Sequence, residues 1–303
     1  MITIKFVCYL AYDVNGKCGE IILENNLVNR LIIRRKEIKL RIIVYVVSVF
    51  LAVIALYPFF TMLSDFTGFQ LDKPAMIFKV LPKRWEQLVK LFTSRDSLVL
   101  TGLVNSLIVT IFSTLCNIYF SALTAHAITS YKWKFRKIFS NFVVALMMIP
   151  TIVATGGFIN LAYKFHMTNS LLLLILPCIA SPISVVFMRL YLESTFPLSL
   201  LDSARIDGAG EFRIFNQIVL PIMKPAIATQ AIFAFVSSWN DTFLPMVLLL
   251  DKKKFTLPIA LILNIAMGER TIPIFVTSIP PILVFLFLSK QLVEGVQLGS
   301  IKL

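Results

Sequence analysis

The sequence predicts an all-α integral membrane protein with six crossings and one structured polar loop. Three observations lead there. The 303 residues are 58% hydrophobic and 15% charged, with a mean hydropathy of +0.85, whereas soluble domains average about 45–50% apolar and about 25% charged residues. Six apolar runs of roughly 20–25 residues follow a basic segment, each long enough for a helix to cross a hydrocarbon core of about 30 Å. Between the fourth and fifth runs lies Leu200–Pro225, LLDSARIDGAGEFRIFNQIVLPIMKP, which is charged and rich in turn residues. Helices are required because an unclosed sheet leaves backbone groups unpaired in lipid.

Residues 1–40 read as a cytoplasmic tail, and 41–303 as the transmembrane domain. Met1–Val14 alternates weakly, like a strand, and lacks the ordered regions of a secretory signal. Residues 1–26 are open to three readings: an ordered extra element, a tail, or a consequence of start-site choice. Arg30, Arg34, Arg35, Lys36, Lys39 and Arg41 crowd just ahead of the first apolar run, which places the N-terminus inside. With that orientation, 18 of the 29 Lys and Arg residues fall in inner segments. The net charge of +13 comes without any nucleic-acid motif. It is read as basic residues facing anionic lipid.

The six runs are Ile42–Met62, Leu98–Ala122, Phe139–Tyr163, Ser170–Leu192, Ala226–Leu250 and Ile272–Val293. The outer segment Leu63–Ser97 holds a predicted short helix around Lys83–Phe92. It is either a solvated linker or a docking surface for a substrate-delivering protein. In the second run Asn105, Ser106, Thr110, Ser113, Thr114, Asn117, Ser121 and Thr124 recur at helical spacing. That polar face points at other helices or at a water-filled path. Pro150 and Gly156-Gly157 predict a kink in the third run, and Pro177 and Pro182 one in the fourth. Each proline frees a carbonyl that a neighbour or water must satisfy. The fifth run contains Trp239-Asn240-Asp241. An Asp within a spanning helix is a functional candidate, and Trp239 offers a face of the kind that stacks on sugar rings. Those three residues are the candidate cargo path. The alternative is that Trp239 and Asp241 anchor the outer interface and bond other helices.

The polar loop reads as a coupling segment spanning 193–224. A helical piece, Leu200–Ile206, precedes a break at Asp207-Gly208-Ala209-Gly210, where the glycines accept positive φ. A second piece, Glu211–Val219, ends at Leu220-Pro221. This pattern resembles the loop of the permease subunits of bacterial binding-protein-dependent ABC importers. In those, Glu-Ala-Ala is followed by three residues, Gly, nine residues, Ile, one residue and Leu-Pro. Here Asp202-Ser203-Ala204 stands for Glu-Ala-Ala, and Gly208, Ile218, Leu220 and Pro221 fall at the matching positions. Asp202 and Ser203 are the two departures. ARIDGAG followed by LPIMKPAIAT looks most like the carbohydrate, maltose-permease branch. The tail KQLVEGVQLGSIKL is similar to the family's, with Leu303 where its final Gly stands.

The resemblance covers about Arg41–Leu303 and implies a type I ABC importer permease in the bacterial inner membrane, both termini cytoplasmic. It implies a second, different permease subunit, two ATPase subunits and an extracytoplasmic solute-binding protein. Asp202, Ser203, Ala204, Gly208, Ile218, Leu220 and Pro221 would be the ATPase-coupling residues. The residues themselves argue against a self-contained machine. No phosphate-binding G-x-x-x-x-G-K-[ST] occurs, and no catalytic constellation stands at a plausible site. Four cysteines without a C-x-x-C pair and two distant histidines make a metal or cofactor site improbable. Two rivals remain: the same fold with a non-sugar cargo, and a self-sufficient carrier or channel.

Overall fold

A computed structural model describes residues 18–69, 77–93, 98–197, 199–265 and 271–300. Among these the chain is helical, with no strand. The strand-like reading of Met1–Val14 and the last three residues of the tail lie outside them. The chain divides into two units, Met1–Ser64 and Asp65–Leu303.

The first unit is occupied by most of helix α1, Cys18–Thr67. From Arg41 to Phe60 every side chain is exposed, and nearly all are apolar. A helix apolar all round belongs in lipid. Its stretch Arg41–Thr67 is long and apolar enough to cross a membrane.

The second unit is organised around α3, Leu98–Ser130, which is long and apolar enough to cross a membrane unbroken. At 33 residues it is about 50 Å long. Its polar face is turned inward: Ser106, Thr110, Ser113, Thr114, Asn117 and Ser121 are all buried. α3 packs against α6 (Leu172–Ile179), α7 (Pro182–Thr195), α10 (Lys224–Asn240) and α12 (Leu257–Ile265). Hydrogen bonds to other segments occur at Asn105, Ser106 and Asn117, whereas the hydroxyls of Thr110, Thr114 and Ser121 are buried without a partner, so both readings of that face stay open. Asn105 Nδ2 donates to the carbonyls of Lys253 and Phe255, and Ser106 Oγ accepts from the Leu257 N–H. Gly102 lets α12 approach: a Cβ there would lie 3.1 Å from Ala260 Cβ and 3.2 Å from Leu257 Cα.

Three predicted spans are not straight helices. The third run becomes α4 (Arg136–Leu146) and α5 (Thr151–Lys164), bent by 97°. Pro150 has no N–H to continue the ladder and disfavours helix at Ile149. The fourth breaks at Ala180-Ser181 into α6 and α7, bent by 40°. Pro182 leaves the Cys178 carbonyl without its helical donor, and Asn117 Nδ2 supplies one at 2.8 Å. The fifth ends its first helix at Asn240 and resumes as α11, Phe243–Leu248. Pro245 cannot donate to the Asp241 carbonyl, and Asp241 is extended, with ψ 119°.

The segment between the first and second runs forms a longer helix than predicted, α2, Ile77–Thr93. Its Leu88 and Phe92 pack on a core of Phe66, Val99, Phe235, Trp239, Leu257, Leu261, Ile272 and Val276. The sixth run lies in α13, Thr271–Ser300.

Candidate coupling site

The loop is built in three parts. α8, Ser199–Ile206, buries Leu201 and Ala204 and exposes Asp202, Ser203, Arg205 and Ile206. It ends in a 6→1, 5→2 reversal: the Ala209 N–H donates to the Ala204 carbonyl at 3.0 Å, and the Gly208 N–H to that of Arg205 at 3.0 Å. This geometry places the residue after the cap in the left-handed region, and Gly208 has φ +78°. Ala209 packs on the cluster containing Ala204, the apolar contact that accompanies such a reversal.

α9, Glu211–Ile222, follows, with a π-helical turn over Phe215–Val219. It runs past Leu220-Pro221 before the chain turns by 80° at Met223 into α10. Ile214, Phe215, Val219 and Met223 are buried beside Leu201 and Ala204. They pack on Ala122 and Ala125 of α3 and on Met188 and Leu192 of α7, with Ile218 and Leu220 at the edge. The seven motif residues therefore divide by role. Ala204, Ile218 and Leu220 hold the loop against the helices, Gly208 makes the turn, and Asp202 and Ser203 face outward with Pro221.

A polar clamp, not legible in the motif, ties the halves together. Glu211 accepts from Arg205 Nε at 2.8 Å and from Tyr131 Oη at 2.6 Å. Arg205 also reaches Asp202 at 3.5 Å and lies over the Tyr131 ring, 5.7 Å from its centroid. His126 stacks on Phe215 and shares a 2.8 Å hydrogen bond with Ser130. Through Tyr131 and His126 the loop is joined to the end of α3. The Arg205 hydrogen bond, then that of Tyr131, holds the Glu211 carboxyl below the usual carboxylate range. Tyr131 is pushed up to about 12, first by burial and then by its bond to Glu211. Sequence spacing gives no sign of Arg205–Glu211, since the pair spans a chain reversal. The one available signal was an acid in a helix's first turn. Two large apolar side chains, Ile206 at 86% and Phe212 at 74% exposure, flank the reversal.

Residues 117–297 match the family of binding-protein-dependent transport system inner membrane components. The chain belongs to this family. It is a helical inner-membrane subunit of a transport system and not itself an enzyme. The arabinooligosaccharides transport system permease protein AraQ of Bacillus subtilis (strain 168) is 34% identical over 203 residues, 65% of this chain and 72% of that protein. AraQ of Halalkalibacterium halodurans is 30% identical over 262 residues, 84% and 93% of the two chains. The trehalose/maltose transport system permease protein MalG of Thermococcus litoralis is 26% identical over 280 residues, 88% and 99%. The fold is that of a crystallised bacterial ABC transporter involved in alginate import, with a TM-score of 0.64 at 20% identity over 92% of this chain and 98% of that one.

The candidate cargo residues of this permease stand apart from the clamp. Trp239 is 1% exposed and donates its Nε1–H to the Thr277 carbonyl at 2.9 Å. Pro281 deprives that carbonyl of its helical donor, so within this chain the indole faces core and closes a backbone gap. Asp241 is not inside a helix, as its place in the fifth run suggested. Its carboxylate caps α11, accepting from the N–H groups of Phe243 at 3.1 Å and Leu244 at 3.3 Å. Asn240 is exposed and Asp241 half-buried. Among the described residues no group of three His, Cys, Asp or Glu could hold a metal ion.

Proposed function

We propose that this permease is one of two unlike membrane subunits of an ATP-driven carbohydrate importer, and that it takes its power stroke through Leu200–Pro221. The loop's closed reversal carries the reading. It presents Asp202, Ser203, Ile206 and Phe212 together on a segment rigidly joined to two helices. Exposed apolar residues within a polar loop mark a surface built to be covered. The covering partner would be an ATPase subunit, one of two, with an extracytoplasmic solute-binding protein on the opposite face. On this reading the loop and both termini would be cytoplasmic. The relatives' carbohydrate cargoes support a sugar for this chain. Asn240 and Asp241, at the α10–α11 break, would line its path, with Trp239 as the wedge that holds them.

ATP-driven closure would move the loop as a unit with α3 and α7, and the bent helices would convert that movement into opening on one side. A pull-down of the ATPase by the full chain in detergent tests this, comparing wild type with the Asp202→Lys, Gly208→Asp double variant. Wild type should retain the ATPase. The variant should lose it, because Asp202→Lys reverses an exposed charge and Gly208→Asp adds a charged side chain at a turn position whose positive φ glycine accepts most readily. No retention by folded wild type would overturn the reading and favour a self-sufficient carrier.

A further inference from the structure

The turn between α3 and α4, Tyr131 to Arg136, opens beside a cavity of about 720 Å³, within the range of small-ligand sites. Five cations line it: Lys132, Lys134, Arg136, Lys137 and Arg189, with no carboxylate among the lining residues. Arg189 is fixed across the cleft between α4 and α7. It donates to the buried Ser140 hydroxyl and pairs with Glu193 at 2.8 Å. Lys132, Arg136 and Lys137 have no carboxylate partner among the described residues. Phe135, the residue before α4, supplies no side-chain cap, and the Arg136 N–H donates to the Trp133 carbonyl at 3.2 Å. Unpaired positive charge therefore converges on one polar hollow.

The surroundings are amphipathic. The cavity meets an apolar cluster of Ile128, Val143 and Val185. On the two helices that contribute to it, Ile138 and Phe142 of α4, and Phe187 and Leu190 of α7, are exposed apolar side chains. Trp133, whose ring suits a membrane interface, lines the hollow. Tyr131 bonds Glu211, so this turn and the coupling loop share one face.

We propose that the cavity binds the phosphate head group of an anionic phospholipid of the cytoplasmic leaflet, whose acyl chains lie along the exposed apolar side chains of α4 and α7. Basic pockets between spanning helices on the cytoplasmic side take such head groups. The assignment rests on the orientation proposed above. Its test reads lipid and not ATPase.

Full-length chain in a neutral detergent is titrated with phosphatidylglycerol, phosphatidylcholine and soluble glycerol phosphate, with bound lipid followed by native mass spectrometry. Wild type should retain phosphatidylglycerol over phosphatidylcholine, and Lys132→Gln, Arg136→Gln, Lys137→Gln together should weaken it about tenfold or more. If that variant does not fold, Lys132→Gln with Lys137→Gln serves for the same comparison. Equal retention of both lipids by wild type, or an unchanged preference in the variants, overturns the proposal. Displacement of the lipid by glycerol phosphate also overturns it, in favour of a soluble phosphate compound. The variant should still capture the ATPase. Loss of the ATPase with lipid preference intact would make the cavity a protein interface and sink the proposal. A wild type that prefers phosphatidylglycerol but captures no ATPase would leave the lipid site standing and remove the coupling reading.

Discussion

Glu211 takes hydrogen bonds from two chain segments, Arg205 within the loop and Tyr131 at the end of α3. Its carboxyl is held low in the folded chain. A lowered native pKa adds stability that is complete above the unfolded value and is lost as pH falls from there through the native value. The thermal midpoint of wild type should therefore exceed that of Glu211→Gln by a constant amount near neutral pH, and the gap should close only in acid. The gap should be small, because the Glu211 side chain is half exposed and water screens the pair. A gap that closed on raising pH instead would show that the carboxylate form is not the one the clamp holds.

At the scale of the element, two prolines each leave one carbonyl that a neighbouring helix must satisfy. Pro182 frees Cys178 O for Asn117, and Pro281 frees Thr277 O for Trp239. A buried carbonyl left unpaired costs about 1–3 kcal/mol. Asn117→Val should lower the thermal stability of the purified chain by about that amount, and in Pro182→Ala much of the loss should vanish, because the helix then supplies its own N–H. Additive effects in that pair would mean that the Asn117 bond is incidental. Trp239→Phe keeps the ring and removes the donor. It should also cost about 1–3 kcal/mol, while leaving cargo uptake per folded molecule unchanged. A selective fall in uptake at unchanged stability would return Trp239 to the cargo path.

Across the whole molecule, α3 sets the span between two ends. Asn105 holds the Lys252–Lys254 turn at one, and Tyr131 holds the coupling loop at the other. The helical rise from one to the other is about 39 Å, more than the hydrocarbon core of about 30 Å. Single cysteines at Ile206 and Lys253, in a background with the native cysteines replaced by serine, should thus react with an impermeant maleimide from opposite sides of membrane vesicles. Labelling of both from one side would contradict this topology.

The sequence by itself determined the class, the positions of the apolar runs and the spacing of the seven-residue loop motif. Each rests on local facts: hydropathy over a helix-length window, a proline that lacks a donor, and a glycine that accepts positive φ. It also announced that carbonyls freed by the prolines of the third and fourth runs needed partners, though not the one freed by Pro281. Tertiary structure alone decided which groups answered. Asn117 lies 61 positions from Cys178 and Trp239 lies 38 from Thr277; no periodicity links such pairs. The same holds for the clamp, since Tyr131 meets Glu211 across 80 residues, and for the basic cavity, where Arg189 joins a cluster from another helix. Asp241 shows the limit most clearly. Composition placed a carboxylate in a span, but only the fold showed a helix ending there, because two backbone N–H groups claim that carboxylate.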